Sequence, residues 1–333
     1  MVPLPRFAVV EEGRSRFAGI SLMPLPVGIK EENMKRNALT RKRKRFCFLM
    51  VLPAIILPLL FTYYPMLKGS MMAFQSYNLM DVSNIKWIGL GNFKKLFTQG
   101  IGNNFYQILE NTAKWVLISL FFQLTIGFGM ALLLKKKFRG SSIYQGLIFF
   151  PWAVSGFVIG IMWRWMFNGT SGVINDILMR LGLIESSVGW LASKDTALLS
   201  CIVANIWYGI PYFTIMITAA LRGIDAELYE AAEVDGANAF DKFFHVTVPS
   251  IKSILLLTVL MRCIWIFNFP DLIYSMTQGG PAGSSHIVTS YMMQLVQSLD
   301  YGLASAVGVL SILFLALFAT IYLLVSNRLT RED

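Results

Sequence analysis

Residues 303–325 read LASAVGVLSILFLALFATIYLLV, a stretch of 23 residues without a charged side chain. A helix needs about 20 mostly apolar residues to cross the hydrocarbon core of a bilayer, so this stretch predicts a transmembrane helix. Five other stretches meet the same length criterion. The six predicted spans are residues 46–67, 115–134, 146–167, 197–220, 251–273 and 303–325. Together they predict an all-α membrane protein with six transmembrane helices.

The composition of the whole chain agrees with a membrane protein. Of the 333 residues, 55% are hydrophobic and 14% are charged, whereas a soluble domain has roughly 25% charged residues. The net charge is +10, and residues 1–45, with 11 basic and 4 acidic side chains, contribute +7 of it. We predict that residues 1–45 form a flexible basic arm, with a docking role as the alternative for its first 28 residues, and that residues 46–333 form the six-span domain. This placement of charge argues against binding to nucleic acid.

Basic residues in the loops predict the orientation of the spans. Residues 41–45 (RKRKR) precede the first span and residues 135–139 (KKKFR) follow the second, whereas residues 271–302 contain no Lys or Arg. Cytoplasmic loops of membrane proteins have an excess of Lys and Arg. We therefore predict a multi-pass protein of the bacterial cytoplasmic (inner) membrane, with both termini in the cytoplasm.

The sequence offers no signature of a metal centre or of a nucleotide site. Cys47, Cys201 and Cys263 lie in separate apolar stretches, and the chain has only two histidines, so neither a disulfide framework nor a usual zinc site is predicted. No Walker-type phosphate loop occurs. The glycine-rich residues 279–286 (GGPAGSSH) lack the lysine of such a loop and are predicted to form a turn in an outer loop. We expect no cofactor on this chain and no enzymatic activity.

Residues 225–250, between the fourth and fifth predicted spans, read DAELYEAAEVDGANAFDKFFHVTVPS and predict two short helices. Asp225 is suited to cap the first helix, and Gly236 is suited to end it. Asn238 and Asp241 have the spacing of a capping box that opens the second helix. Pro249 suits the first turn of the fifth span.

The first of these helices carries an unusual charge for a cytoplasmic loop. It has five acidic residues and no basic residue, and aromatic residues follow it. Helices that lie on lipid favour Lys and Arg on their polar face. Docking of a cytoplasmic protein is therefore favoured over the alternative of an amphipathic helix on the membrane surface.

The same segment carries a family resemblance. Its spacing resembles EAA-x3-G-x9-I-x-L-P, the signature of membrane subunits of binding-protein-dependent ABC importers, with valine in place of Ile and Leu. The matching residues are Glu230, Ala231, Ala232, Gly236, Val246, Val248 and Pro249. Residues 264–285 and 88–97 are similar to segments of the carbohydrate-uptake branch, the maltose and glycerol-phosphate type. The resemblance runs from the first span to the last.

The resemblance implies an importer permease subunit that forms half of a translocation path. Its implied partners are a second homologous permease, a cytoplasmic ABC ATPase dimer that binds ATP and Mg, an extracytoplasmic solute-binding protein, and a saccharide. Residues 225–236 would form a coupling helix in a cleft of the ATPase. The implied ATPase-coupling residues are Glu230, Ala231, Ala232, Asp235, Gly236, Phe240, Phe244 and Pro249.

Polar and aromatic residues inside the spans are candidates for the substrate path. Ionisable groups within a span are costly and usually functional, and Arg164 and Arg262 are such groups. Snorkelling of Arg164 to the interface and a structural role of Arg262 are the alternatives. The candidate path residues are Asn205, Tyr208, Tyr212, Arg262, Trp265 and Asn268. Two arginines and few acids suit an anionic or uronate-containing saccharide better than a cation, whereas the aromatic and amide residues also suit neutral sugars or simple packing.

Three other functions remain as alternatives. An ABC permease for another solute, such as glycerol-phosphate, an amino acid or a peptide, would have the same signature. An ion-coupled secondary transporter would need a carboxylate well inside a span, and Asp271 lies only at an edge. A scaffold or channel would leave the spacing of the signature unexplained.

Overall fold

The computed structural model describes residues 43, 44, 46–98, 105–135 and 139–330. The predicted N-terminal arm, residues 1–45, therefore lies outside the described residues except for Arg43 and Lys44. Helices dominate the described part, whose only β pairing consists of two isolated bridges. The chain divides into two units at Pro65 and Met66.

The first unit consists, in its described part, of the beginning of one apolar helix. Helix α1, Phe46–Met72, starts there and continues into the second unit. A π-helical segment, Leu59–Tyr63, follows Pro58 within it. Most of its large apolar side chains are exposed, as expected for a helix whose surroundings are lipid.

The second unit contains eleven further α-helices of eight residues or more among the described residues. They are α2 (Gly91–Thr98), α3 (Phe105–Leu134), α4 (Ser141–Phe149), α5 (Gly156–Met166), α6 (Val173–Arg180), α7 (Ala197–Arg222), α8 (Ala226–Val234), α9 (Val248–Phe267), α10 (Pro270–Thr277), α11 (Val288–Gln297) and α12 (Tyr301–Leu329). Short 3₁₀ segments occur at Val82–Asn84 and Phe150–Ala153. A helical turn, Ala239–Asp241, and a π-helical segment, Lys242–Thr247, lead into α9.

Five of the described helices are long and apolar enough to cross a membrane, and a sixth crossing exists if one bent pair counts as one span. The bent pair is Ser141–Ala153 with Gly156–Met166, and the angle between its halves is 96°. The sequence predicted a single span at 146–167 that contains Pro151. Pro151 lacks an N–H group and Val154 is extended, so the helical hydrogen bonding stops there and the chain turns.

Two other predicted spans differ from the structure at their ends. Helix α3 begins at Phe105 rather than at residue 115, because its first turns bury Phe105, Ile108 and Trp115 on one face. The fifth predicted span, 251–273, lies inside a longer helical path, Ala239–Thr277. That path is interrupted where Pro270 starts the new helix α10.

Helices α3 and α7 pack closely because small residues lie where they meet. A Cβ atom on Gly127 would be 2.6 Å from the Cβ of Phe213, and one on Gly209 would overlap the side chain of Gln123. Ala131 is fully buried at the same contact. Membrane helices associate through such close contacts, since lipid leaves little hydrophobic driving force between them.

Replacement of Gly209 by Ala is expected to lower the free energy of unfolding of the chain by about 1–3 kcal/mol, because the added methyl group overpacks the contact with Gln123. Gly129→Ala is the matched control, since it lies in α3 with no atom within 4 Å of an added Cβ. Thermal unfolding of the two purified variants in detergent measures the difference. Equal melting temperatures would contradict the importance of the contact.

Candidate functional site

The helix that precedes the fifth span has the ends that the sequence predicted, with one exception. Asp225 occupies the N-cap position of α8 in extended conformation, but its carboxylate makes no capping hydrogen bond. Gly236 follows the helix with a φ of +80°, which an L-residue with a Cβ adopts only at a cost. Asn238 Oδ1 accepts hydrogen bonds from the N–H groups of Phe240 and Asp241, at 2.8 and 3.1 Å. The Asp241 carboxylate accepts one from the Asn238 N–H, which completes the capping box.

The second predicted short helix is not a separate element. Ala239–Asp241 continues through the π-helical segment Lys242–Thr247 into α9, and Pro249 lies in the first turn of α9. The helical path continues through Pro249 because a proline is tolerated in the first turn of a helix, where Pro249 lies. As a result, Phe240 and Phe244 lie on the extension of the same helical path that forms the fifth span.

Much of the segment 225–250 is exposed. Glu230, Ala231, Asp235 and Gly236 are exposed, and 76% of Phe240 is exposed. Of the other predicted coupling residues, Phe244 and Pro249 are exposed and Ala232 is half-buried. The acidic helix α8, the turn at Gly236 and the exposed rings of Phe240 and Phe244 thus form one surface, which we call the coupling surface after the role that the sequence resemblance implies.

The two central acidic residues of the coupling surface, Glu230 and Glu233, differ in whether they form an ion pair within the described residues. Glu233 forms an ion pair with Lys242, and the hydrogen bond and positive charge of Lys242 lower the pKa of the Glu233 carboxyl. Glu230 forms no ion pair within the described part of the chain. Its carboxylate is therefore available to a basic group of another protein.

Tyr229 connects the coupling surface to two other helices. Lys135, directly after α3, has its Nζ atom 3.9 Å from the centre of the Tyr229 ring. The Tyr229 hydroxyl is 2.9 Å from Oγ1 of Thr247, at the start of α9. Neither contact of Tyr229 was predicted from the sequence, because each joins residues that are far apart in the chain.

The candidate substrate-path residues come together around one cavity. The cavity has a volume of about 370 Å³, within the usual range of ligand pockets. It is lined by Trp152, Asn205, Tyr208, Arg262, Trp265, Ile266, Asn268 and Phe269. Five of the six predicted residues are among them, and the sixth, Tyr212, packs against Trp152 and Trp265 with ring centres 5.5 and 5.2 Å apart.

The cavity has aromatic walls. Tyr208 and Phe269 stack with 5.1 Å between ring centres and 5° between ring planes. The Trp152 Nε1–H donates a hydrogen bond to the carbonyl oxygen of Tyr208 at 3.1 Å. Trp152 and Phe269 line the cavity but were not among the residues predicted from the sequence. Pro151 and Pro270 were the features of the sequence that could have indicated them, because each proline interrupts a helix and so places its neighbour at the cavity.

Polar side chains of three helices meet beside this cavity. Arg262 of α9 donates from Nε to Oε1 of Gln123 in α3, at 2.8 Å. The Gln123 Nε2 donates to the carbonyl oxygen of Asn205 in α7, and the Asn205 Nδ2 donates to Oγ of Ser119. Gln123 was also missed, although a buried amide within an apolar span was a visible signal. Arg164 is exposed and lines a different cavity.

The loop between α10 and α11 is held by buried polar contacts. The Asn111 Nδ2 donates to the carbonyl oxygens of Ser284 and His286, at 2.8 and 3.1 Å. Burial lowers the pKa of His286 to about 4, so its ring is neutral at pH 7. Gly279 packs directly against that ring. Within the described residues, no cluster of His, Cys, Asp and Glu is suited to hold a metal ion.

Comparison with known proteins identifies the family. The family model of the binding-protein-dependent transport system inner membrane component matches residues 123–331, and the chain belongs to this family. It is a permease subunit of such a transport system, and ATP hydrolysis takes place on a separate subunit.

Individual relatives match over most of their length. The trehalose/maltose transport system permease protein MalF of Thermococcus litoralis is 28% identical over 87% of this chain and 98% of its own. The sulfoquinovosyl glycerol transport system permease protein SmoG of Agrobacterium fabrum is 32% identical over 83% of this chain and 88% of its own length. The crystal structure of a bacterial alginate ABC transporter in complex with an alginate pentasaccharide-bound periplasmic protein has a chain with a TM-score of 0.72 and 26% identity, over 87% of this chain and 96% of that one.

Proposed function

We propose that this chain forms half of the translocation path of an ATP-driven importer for an oligosaccharide or a related sugar compound. The observation that carries the proposal is the helical path Ala239–Thr277. One end of this path carries Phe240 and Phe244 of the coupling surface, and Arg262 and Trp265 further along it line the cavity. A displacement of the coupling surface would therefore move residues that line the cavity. The names of the relatives, which refer to trehalose, maltose, sulfoquinovosyl glycerol and alginate, support a sugar as cargo.

In this proposal the coupling surface binds a cleft of a cytoplasmic ABC ATPase dimer, which holds ATP and Mg. Glu230 pairs with a basic group there, Gly236 makes the turn, and the two exposed phenylalanines fill apolar contacts. A second homologous permease completes the path, and an extracytoplasmic binding protein delivers the cargo. Rocking of one half of the transporter against the other then exposes the cavity alternately to the two sides of the membrane.

The bent helix pair counts as one of six spans in this proposal, so both termini lie in the cytoplasm. An even number of crossings is needed because the basic residues 41–45, before α1, and Arg328, at the end of α12, both indicate the cytoplasmic side. A break within a span is tolerated where the freed backbone lines a cavity. Here the break places Trp152 at the cavity.

The test is reconstitution of the complete complex, with the subunits encoded beside this chain, in liposomes. ATPase activity and uptake of labelled oligosaccharides are measured with and without loaded binding protein. Stimulation of both by a sugar-loaded binding protein is the expected result. Uptake that follows an ion gradient without ATP would overturn the proposal in favour of a secondary transporter. If only glycerol-phosphate, an amino acid or a peptide stimulated the complex, the chain would be an ABC permease for that solute and not for a sugar.

A further inference from the structure

Arg262 is a buried cation without an acidic partner in the described part of the chain. Only 3% of Arg262 is exposed, and none of the ion pairs among the described residues includes it. Removal of a charge from water costs several kcal/mol unless an opposite charge compensates it. The position therefore favours an anion that is supplied by a bound molecule.

The guanidinium of Arg262 is held in place but is only partly used. Of its five N–H donors, one is bound to Gln123 Oε1, and Gln123 is itself fixed by its bond to the Asn205 carbonyl. The rings of Tyr208 and Tyr212 lie 5.9 and 5.7 Å from the guanidinium carbon. They compensate part of the charge but accept no hydrogen bond from it. The remaining donors have no acceptor among the described residues.

The same cavity also has an unused acceptor. Asn205 is fully buried, and its Oδ1 atom has no hydrogen-bond partner in the described part of the structure. A buried amide oxygen without a donor is costly, and the hydroxyl group of a ligand would satisfy it once the surrounding side chains move apart, because Asn205 is fully buried in this conformation. Trp152, Tyr208 and Phe269 add flat apolar faces to the same lining. The lining thus suits a molecule with an anionic group, hydroxyl groups and an apolar ring face.

We infer that the cavity recognises an acidic saccharide, whose carboxylate pairs with Arg262 while its hydroxyl groups bind Asn205 and its ring packs on the aromatic walls. Arginine binds a carboxylate through two parallel hydrogen bonds, which the unused donors can supply. A neutral sugar would leave the guanidinium without a counter-ion. This inference rests on the proposed function, because it names the class of cargo of the same path.

The first experiment compares cargoes on the wild-type complex in liposomes. The binding protein is loaded to saturation with oligogalacturonates or oligomannuronates, or with the same oligosaccharides after reduction of their carboxyl groups. Uptake of the acidic oligosaccharides is expected to exceed uptake of the reduced, neutral oligosaccharides by about tenfold or more. Equal uptake of the two forms would overturn the inference and leave the proposed function intact. If no saccharide stimulates ATPase activity or uptake, the proposed function itself fails.

The second experiment assigns the selectivity to Arg262 rather than to the binding protein. With the same loaded binding protein, Arg262→Gln is expected to lower uptake of the acidic oligosaccharides by about tenfold, and Arg262→Lys to lower it less. Arg164→Gln is the matched control, because Arg164 is an exposed arginine outside this cavity. Unchanged uptake of the acidic forms by an assembled Arg262→Gln complex would refute the assignment. If this variant does not assemble, the wild-type comparison decides.

Discussion

Replacement of Glu230 by Lys is expected to lower the ATPase activity that the loaded binding protein stimulates by about tenfold or more, and to reduce co-purification of the ATPase subunit. Glu230 is exposed on α8 and forms no ion pair within the described residues. Charge reversal would place a lysine against a basic group of the partner, and like charges at an interface cost several kcal/mol. The measurement is ATPase activity of the purified complex in liposomes, with and without loaded binding protein.

The matched control for this prediction is Glu185→Lys. Glu185 is also exposed, but it lies between α6 and α7, in a loop that the proposed orientation places on the outer side. The same change of charge there is expected to leave co-purification of the ATPase unchanged. A Glu230→Lys complex that keeps both its ATPase subunit and its stimulated activity would contradict the role of the coupling surface.

The sequence predicted the apolar helices well because their signal is local. An uncharged stretch such as 303–325 can satisfy its backbone in lipid only as a helix, and α12 covers that stretch. The ends of the spans were less predictable. The first turns of α3 contain Glu110 and Lys114, which form an ion pair on the exposed face while Ile108 is buried. Average hydropathy does not detect such an amphipathic extension.

The candidate site was predictable where one residue dictates its own geometry. The left-handed conformation of Gly236 and the capping box of Asn238 follow from local rules of helix termination. The cavity required information on packing between helices. Gln123 contacts Arg262 across 139 positions of the chain, and Trp152 reaches the cavity only because the third predicted span bends. Neither contact leaves a periodic pattern in the sequence.

Replacement of Tyr229 by Leu is expected to raise the number of ATP molecules hydrolysed per molecule of cargo imported. Tyr229 joins α8 to Lys135, after α3, and to Thr247, at the start of α9. Loss of a cation–π contact and of a hydrogen bond removes about 1–3 kcal/mol, so α8 would be held less firmly against α3 and α9 when the coupling surface moves. Co-purification of the ATPase should persist, because Glu230 and Phe240 remain in place.

Two further variants separate the contacts of Tyr229. Tyr229→Phe removes only the hydroxyl group and keeps the ring below Lys135, so we expect a smaller loss of coupling than with Leu. Lys135→Gln removes the cation and keeps the bond to Thr247, and should also have an intermediate effect. Tyr63→Leu, at an exposed tyrosine of α1, is the control for loss of an aromatic ring. The ratio of ATP hydrolysis to cargo uptake is measured in liposomes for all four variants. If Tyr229→Leu kept the wild-type ratio, movement of the coupling surface would have to reach the spans through the helical path Ala239–Thr277 alone.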